Sequence, residues 1–135
     1  MTRLRVDANV LLRFLTGEPQ ALAQRAAQAI LRAEGGETRL VVSPLVVAEM
    51  IWVLKSFYKR TPGEIAGVLI PLLSADGVEV EDKDTMLRAI ELVRDLNVDF
   101  VDAVLSLEAI RKGETVCTFD ETDFKRLPGP WVAPA

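Results

Sequence analysis

The chain has 135 residues, half of them apolar, enough for one domain with a core of its own and too few to expect two. Its net charge of -4 is wrong for a non-specific polyanion binder, although a local basic stripe on an acidic protein stays open. Histidine is absent and Cys117 is the only cysteine, which excludes nucleophile–histidine catalysis, an intrachain disulfide and a cysteine-based zinc site, and makes the cytoplasm the expected compartment.

Leu4 and Val6 start a short apolar strand that runs into Asp7, and after Asn9 the apolar positions Val10, Leu11, Phe14 and Leu15 take up a helical period. Gly17 stops that helix. Glu18-Pro19 opens a second, with Leu22, Ala26, Ala29, Ile30 and Ala33 three or four apart, which ends at Gly35-Gly36. After a strand at Arg39 to Val42, Ser43 as N-cap and Pro44 at the first helical position launch the apolar helix LVVAEMIWVLKSFY. The apolar run from Leu40 to Leu54 is interrupted by Ser43, Pro44 and Glu49 and is too short to span a bilayer; no secretory h-region follows Arg3, Arg5 and Asp7.

Thr61-Pro62-Gly63-Glu64 reads as a capping box for a helix to about Ser74, kinked or shortened by Pro71. Asp76-Gly77 turns the chain, Val78 to Val80 is a short strand, and Asp82 or Asp84 caps a helix through Leu96 whose buried stripe is Met86, Leu87, Ile90 and Val93 or Leu92. Asp99 caps the helix FVDAVLSLEAIRK, closed by Gly113. Thr115 to Phe119 is a strand ending at Asp120, with Cys117 read as core, and Glu121 to Lys125 makes a short turn of helix. The proline-rich tail has room for at most an edge strand at Trp131-Val132. Strands alternating with helices predict a single α/β domain over residues 1–135, three layers deep, with a mostly parallel central sheet flanked by helices.

Without histidine, any hydrolysis must rest on carboxylates, on Lys or Tyr, or on a metal held by oxygen. Asp7 sits where a strand ends, the edge at which ligands bind in open α/β sheets, yet taken alone it is equally a turn or capping residue. Asp120 repeats the pattern. Thr118 shares its strand face, and Asp123 lies one turn on. Glu49 has Leu45, Val46, Trp52 and Val53 as helical neighbours, so it leaves from a mostly apolar surface. Asp102 follows the capping Asp99 by three and either supports that cap or faces inward. Four or five such carboxylates in one crevice repel one another and need a cation, which with oxygen ligands alone would be Mg²⁺ or Mn²⁺. A water on such an ion supplies the nucleophile, and a second ion could stabilise the leaving oxygen, which suits phosphodiester hydrolysis.

Strand-D-A-N-V-L-L, S-P-L-V-V-A-E-M, D-F-V-D-A-V-L and T-F-D-E-T-D-F, in that order across the whole chain, resemble the PIN domain as found in VapC-like toxins of bacterial toxin–antitoxin pairs. The resemblance implies a Mg²⁺- or Mn²⁺-dependent endoribonuclease, usually a homodimer, blocked by a cognate antitoxin. By position it implies that Asp7, Glu49, Asp102 and Asp120 are the catalytic acids and that Asp7, Asp102, Asp120 and Asp123 are the metal ligands. Asn9 and Thr118 match supporting positions, and Asp99 matches no catalytic acid.

Lys55, Lys59 and Arg60 form the densest basic cluster and could meet RNA phosphate, or could simply suit the end of their helix. Trp52, Phe57 and Tyr58 could stack bases, but such helices more often supply core or a dimer seam. Two other readings compete. A haloacid-dehalogenase-like phosphatase would use Asp7 as nucleophile but wants a second Asp where this chain has Asn9, and usually a longer chain. A PIN-like module that binds RNA or protein without cutting is disfavoured by the intact acid set.

Overall fold

The computed structural model describes all 135 residues, which form two compact units. The first unit, Met1–Lys83, contains strand β1 (Thr2–Arg5), helices α1 (Ala8–Thr16) and α2 (Gln20–Glu34), strand β2 (Thr38–Val42), helices α3 (Pro44–Ser56) and α4 (Pro62–Leu73), and strand β3 (Val78–Val80). Its sheet has the order β1-β2-β3 and is parallel throughout, with Leu4 opposite Leu40 and Leu40 opposite Val78. β2 is the middle strand, and its consecutive Leu40, Val41 and Val42 are all buried, as expected of a strand covered on both faces. β1 lies at the edge of this sheet and is exposed along its length, Leu4 at 43%. Its pairing reaches Val6, as the apolar pattern running into Asp7 predicts: the buried Val6 donates its N–H to the Val41 carbonyl at 2.9 Å.

Parallel strands bring the starts of the following helices to one edge of the sheet. There Asp7 caps α1, accepting from the Asn9 N–H at 3.4 Å, and Ser43 caps α3, accepting from the Val46 N–H at 3.3 Å. α1 therefore begins at Ala8, earlier than its apolar period indicates, and Asn9 is its second residue. Leu11, Leu40, Val42, Val47, Met50, Leu69 and Leu73 fill the core of this unit. The Thr61–Glu64 capping box forms in full, and Pro71 falls in the last turn of α4, which ends two residues later at Leu73. Across the sheet, Glu79 takes hydrogen bonds from both Arg3 and Arg39, which face each other in register, and Arg5 pairs with Glu81 at 2.6 Å.

The second unit, Asp84–Ala135, holds most of α5 (Lys83–Leu96), then α6 (Phe100–Lys112), strand β4 (Val116–Cys117), the short helix α7 (Glu121–Phe124) and strand β5 (Trp131–Val132). α5 buries Met86, Ala89, Ile90, Leu92 and Val93, leaving Leu87 half-buried. Neither expected cap holds in the ordinary way. Asp82 takes a left-handed backbone (φ 54) rather than the extended one of an N-cap, and Asp84 lies in the first turn. The tail does form a strand, parallel to β4 with Cys117 opposite Val132. β4 is shorter than the expected Thr115 to Phe119, since its partner offers only two residues between Pro130 and Ala133. Cys117 is exposed, not core, because this ribbon has no third strand to enclose it.

Ser106, wholly buried in α6, fastens the tail: its hydroxyl accepts the Gly129 N–H at 2.7 Å. A Cβ at Gly129 would lie 2.4 Å from the Ser106 carbonyl oxygen, so only glycine seats there. The architecture is thus α/β, with seven helices and parallel pairing at every strand junction. No helix is long and apolar enough to cross a membrane.

Ser106→Ala removes the acceptor and strands a buried N–H, and urea denaturation should register a loss of about 1–3 kcal/mol. Glu79 is held down at about 2, first by its hydrogen bond from Arg3 and then by Arg39. Its stabilising effect is therefore full above its ordinary 4.5 and lost as pH falls through 2. Glu79→Gln should lower the thermal midpoint at pH 7 and leave it unchanged near pH 2, with the pH 7 difference shrinking in high salt.

Candidate metal centre

Three carboxylates of the second unit converge. Asp102, Asp120 and Asp123 each offer an oxygen, and these oxygens lie within 4.8 Å of one another. Their closeness is built by helix starts. Asp99 caps α6 and accepts the Asp102 N–H at 3.1 Å; Asp120 caps α7 and accepts the Asp123 N–H at 3.1 Å. Asp123 closes the circuit by accepting the Asp99 N–H at 3.3 Å. Backbone amides thus hold the carboxylates of Asp99, Asp120 and Asp123 at two adjoining helix starts, where the helix dipole also favours negative charge. The Thr118 hydroxyl accepts the Asp120 N–H at 2.9 Å and so sets the backbone on which that carboxylate stands.

One cation faces this group. Arg126 donates to Asp123 at 3.2 Å and also to the Leu96 carbonyl, tying α7 to the end of α5. Its spacing of three from Asp123 is the only advance sign of that pairing. No donor reaches the Asp102 carboxylate. Burial, and after it the charges of Asp99, Asp120 and Asp123, push this half-buried group up from 3.8 to about 6.

A divalent ion fits this donor set. All three ligand atoms are hard oxygens, their number suits an ion that keeps several waters, and the charges of Asp99, Asp120 and Asp123 add to burial in raising Asp102.

The remaining expected site residues lie in the first unit. Asp7 is exposed at the start of α1, with one oxygen engaged in capping and the other free. Asn9 is exposed as the second residue of α1, and Glu49 is exposed in the middle of α3. Lys55 lies exposed in the last turn of α3, Lys59 has a left-handed backbone (φ 55), and Arg60 leans on Glu64 at 3.8 Å. Trp52 and Phe57 are 67% and 74% exposed, so neither is core, and Phe57 packs edge-on against Tyr58.

The family model of the PIN domain matches residues 5–130 and so runs through both units. Among solved structures, a chain in the crystal structure of VapBC2 from Rickettsia felis bound to a DNA fragment from their promoter is similar to this one, at 20% identity and a TM-score of 0.39, with 100% of each chain covered. No curated protein matches.

Because folding raises the Asp102 pKa, the unfolded chain loses that proton first as pH rises, so stability falls between about pH 4 and pH 6. Asp102→Asn should therefore stabilise the metal-free protein at pH 7.5, by about 1 kcal/mol once screening by water at this half-open site is allowed for, and have no effect at pH 3.5. Calorimetry in EDTA at the two pH values checks this; Mg²⁺ should then raise the midpoint of the parent chain and not that of the variant.

Proposed function

This chain belongs to the PIN-domain family, and on that premise we propose that it is a Mg²⁺- or Mn²⁺-dependent endoribonuclease, the toxin of a toxin–antitoxin pair, with residues 1–135 forming its single PIN domain. PIN domains are typically metal-dependent nucleases, and the observation that carries the reading here is the crowding of Asp102, Asp120 and Asp123 around one point. Asp102, Asp120 and Asp123 would hold the ion, with Asp7 and Glu49 the further acids that the sequence motifs supply. When bound, the ion lowers the pKa of a water to make it a nucleophile and offsets charge on the phosphate oxygens.

The chain's own groups do the positioning. The Thr118 hydroxyl and the Asp123 N–H fix Asp120 by its backbone and one oxygen, leaving its second oxygen for the ion. Arg126 restrains Asp123 and moderates its charge. Asp99 spends its carboxylate on capping, in keeping with a structural role. The toxin reading rests on the order of the four motifs, and a cognate antitoxin and a homodimer are part of it. The apolar side chains left exposed on and just after α3, Leu45, Trp52 and Phe57, suit a surface that a protein partner covers.

Purified protein free of other chains should cut a mixed-sequence RNA with Mg²⁺ or Mn²⁺ and stop on addition of EDTA. Asp120→Asn and Asp7→Asn should each lower the rate about 100-fold or more, and unchanged cleavage in either would remove that residue from the site. Release of phosphate from small phosphomonoesters without RNA cleavage would favour the phosphatase instead. Growth arrest on expression, relieved by the open reading frame upstream, separates a toxin from a housekeeping nuclease.

A further inference from the structure

Resting on the ribonuclease reading, we propose that the groove between α1 and α2 is a track for the sugar-phosphate backbone of single-stranded RNA, gripped by Arg13, Arg25 and Arg32. The groove has a volume of about 660 Å³ and lies wholly within the first unit. Arg13 comes from α1, Arg25 and Arg32 from α2, and no carboxylate lines it.

The distribution of the arginines singles this groove out. Of the eleven in the chain, Arg3, Arg5, Arg39, Arg60, Arg88, Arg94 and Arg126 each pair with a carboxylate, and Arg111 is also engaged. The other three are those of the groove: Arg13 donates only to the Glu18 backbone carbonyl, and Arg25 and Arg32 reach no acid. In a protein of net charge -4, three uncompensated guanidinium groups in one furrow form a local positive stripe that repels its own kind and calls for an anion.

The geometry favours an extended polyanion. Arg25 and Arg32 are seven residues apart on one face of α2, about 10.5 Å along its axis, so they meet charges in a row and not one compact anion. Packed helices lie about 8–10 Å apart, and the furrow between two of them admits a single strand but not a duplex. The floor, with Leu22 and Ala29, is apolar and suits a sugar edge or a base face, while Asn9 offers an amide at one end. Asn9 is two residues from Asp7, one of the acids assigned to cutting, and this continuity favours substrate RNA over an acidic polypeptide. Lys55, Lys59 and Arg60, the cluster densest in sequence, lie on other elements and do not line the groove.

The test is binding of a fluorescent 20-nucleotide single-stranded RNA in EDTA, followed by anisotropy from low to moderate salt, so that affinity is read without cleavage. Arg25→Gln/Arg32→Gln should weaken binding about tenfold near 0.1 M salt and flatten the slope of log K against log salt by about 1.4, the value for two lost phosphate contacts on a single strand. Arg88→Gln/Arg94→Gln, which removes the same charge from acid-paired positions, should leave both unchanged. Arg25 and Arg32 are exposed, so thermal melts of the double variant should match the parent; each single variant, with about half the slope change, provides a second measure. Equal slopes in the two double variants would overturn the proposal, as would binding of polyglutamate in place of RNA that depends on Arg25 and Arg32. RNA that binds with the predicted slope but is never cut would uphold the track and remove the nuclease reading, whereas RNA that is cut with an unaltered slope would do the reverse.

Discussion

The second unit turns on backbone amides holding together side chains that repel. Asp99, Asp120 and Asp123 each accept an N–H from the start of α6 or α7, in a circuit that runs through all three. An isolated carboxylate pair at such distances would separate or protonate, and the raised Asp102 shows the residual cost. What prevents separation is that Asp99 and Asp120 are caps and Asp123 accepts the Asp99 N–H, so moving any of the three would leave an amide at a helix start without its partner. Local helix formation and the charge cluster are therefore one interaction. This is why the cluster does not need an arginine on every acid, and why one guanidinium, that of Arg126, is enough to bind α7 to α5.

Capping also explains which parts of this site could be read ahead of the structure. Asp99 and Asp120 were legible because capping is a matter of one to three residues of sequence, and the α/β alternation was legible because period and punctuation are local too. Asp102 and Asp123 were visible by their spacing from those two acids, and the resemblance of four short motifs supplied the roles expected of them. What escaped depends on distance in sequence: Ser106 meeting Gly129, Asp123 reaching back to the Asp99 N–H, and Arg126 closing on the Leu96 carbonyl. That Asp7 caps α1 and leaves Asn9 inside the helix follows from its place directly before Ala8. Cys117 was misjudged because apolar character in a strand says nothing about how many strands lie beside it.

Charge along this chain is sorted by whether it has a partner and hardly at all by density. Lys55, Lys59 and Arg60 drew notice as neighbours in sequence, yet Arg60 is occupied by Glu64. Arg13, Arg25 and Arg32 are scattered through twenty residues and meet only because α1 and α2 pack together. The same sorting appears in the sheet, where two arginines in register would repel if Glu79 did not lie across both. Formal net charge hides such local imbalance, and the imbalance is what a partner meets at close range.

The seat of Gly129 on Ser106 has a wider meaning for the evolution of the chain. Ser106 lies one helical turn beyond Asp102, so the clamp on the tail and the raised acid of the cluster share a side of α6. A chain trimmed before residue 129 would keep every acid and yet lose the peg that pins this helix face, leaving the spacing of the carboxylates to fluctuate. Loss of the segment from Gly129 onward is thus a route by which descendants of this sequence drift in activity while their acidic signature stays intact, and a fusion that replaces Gly129 would impose the same drift at the bench.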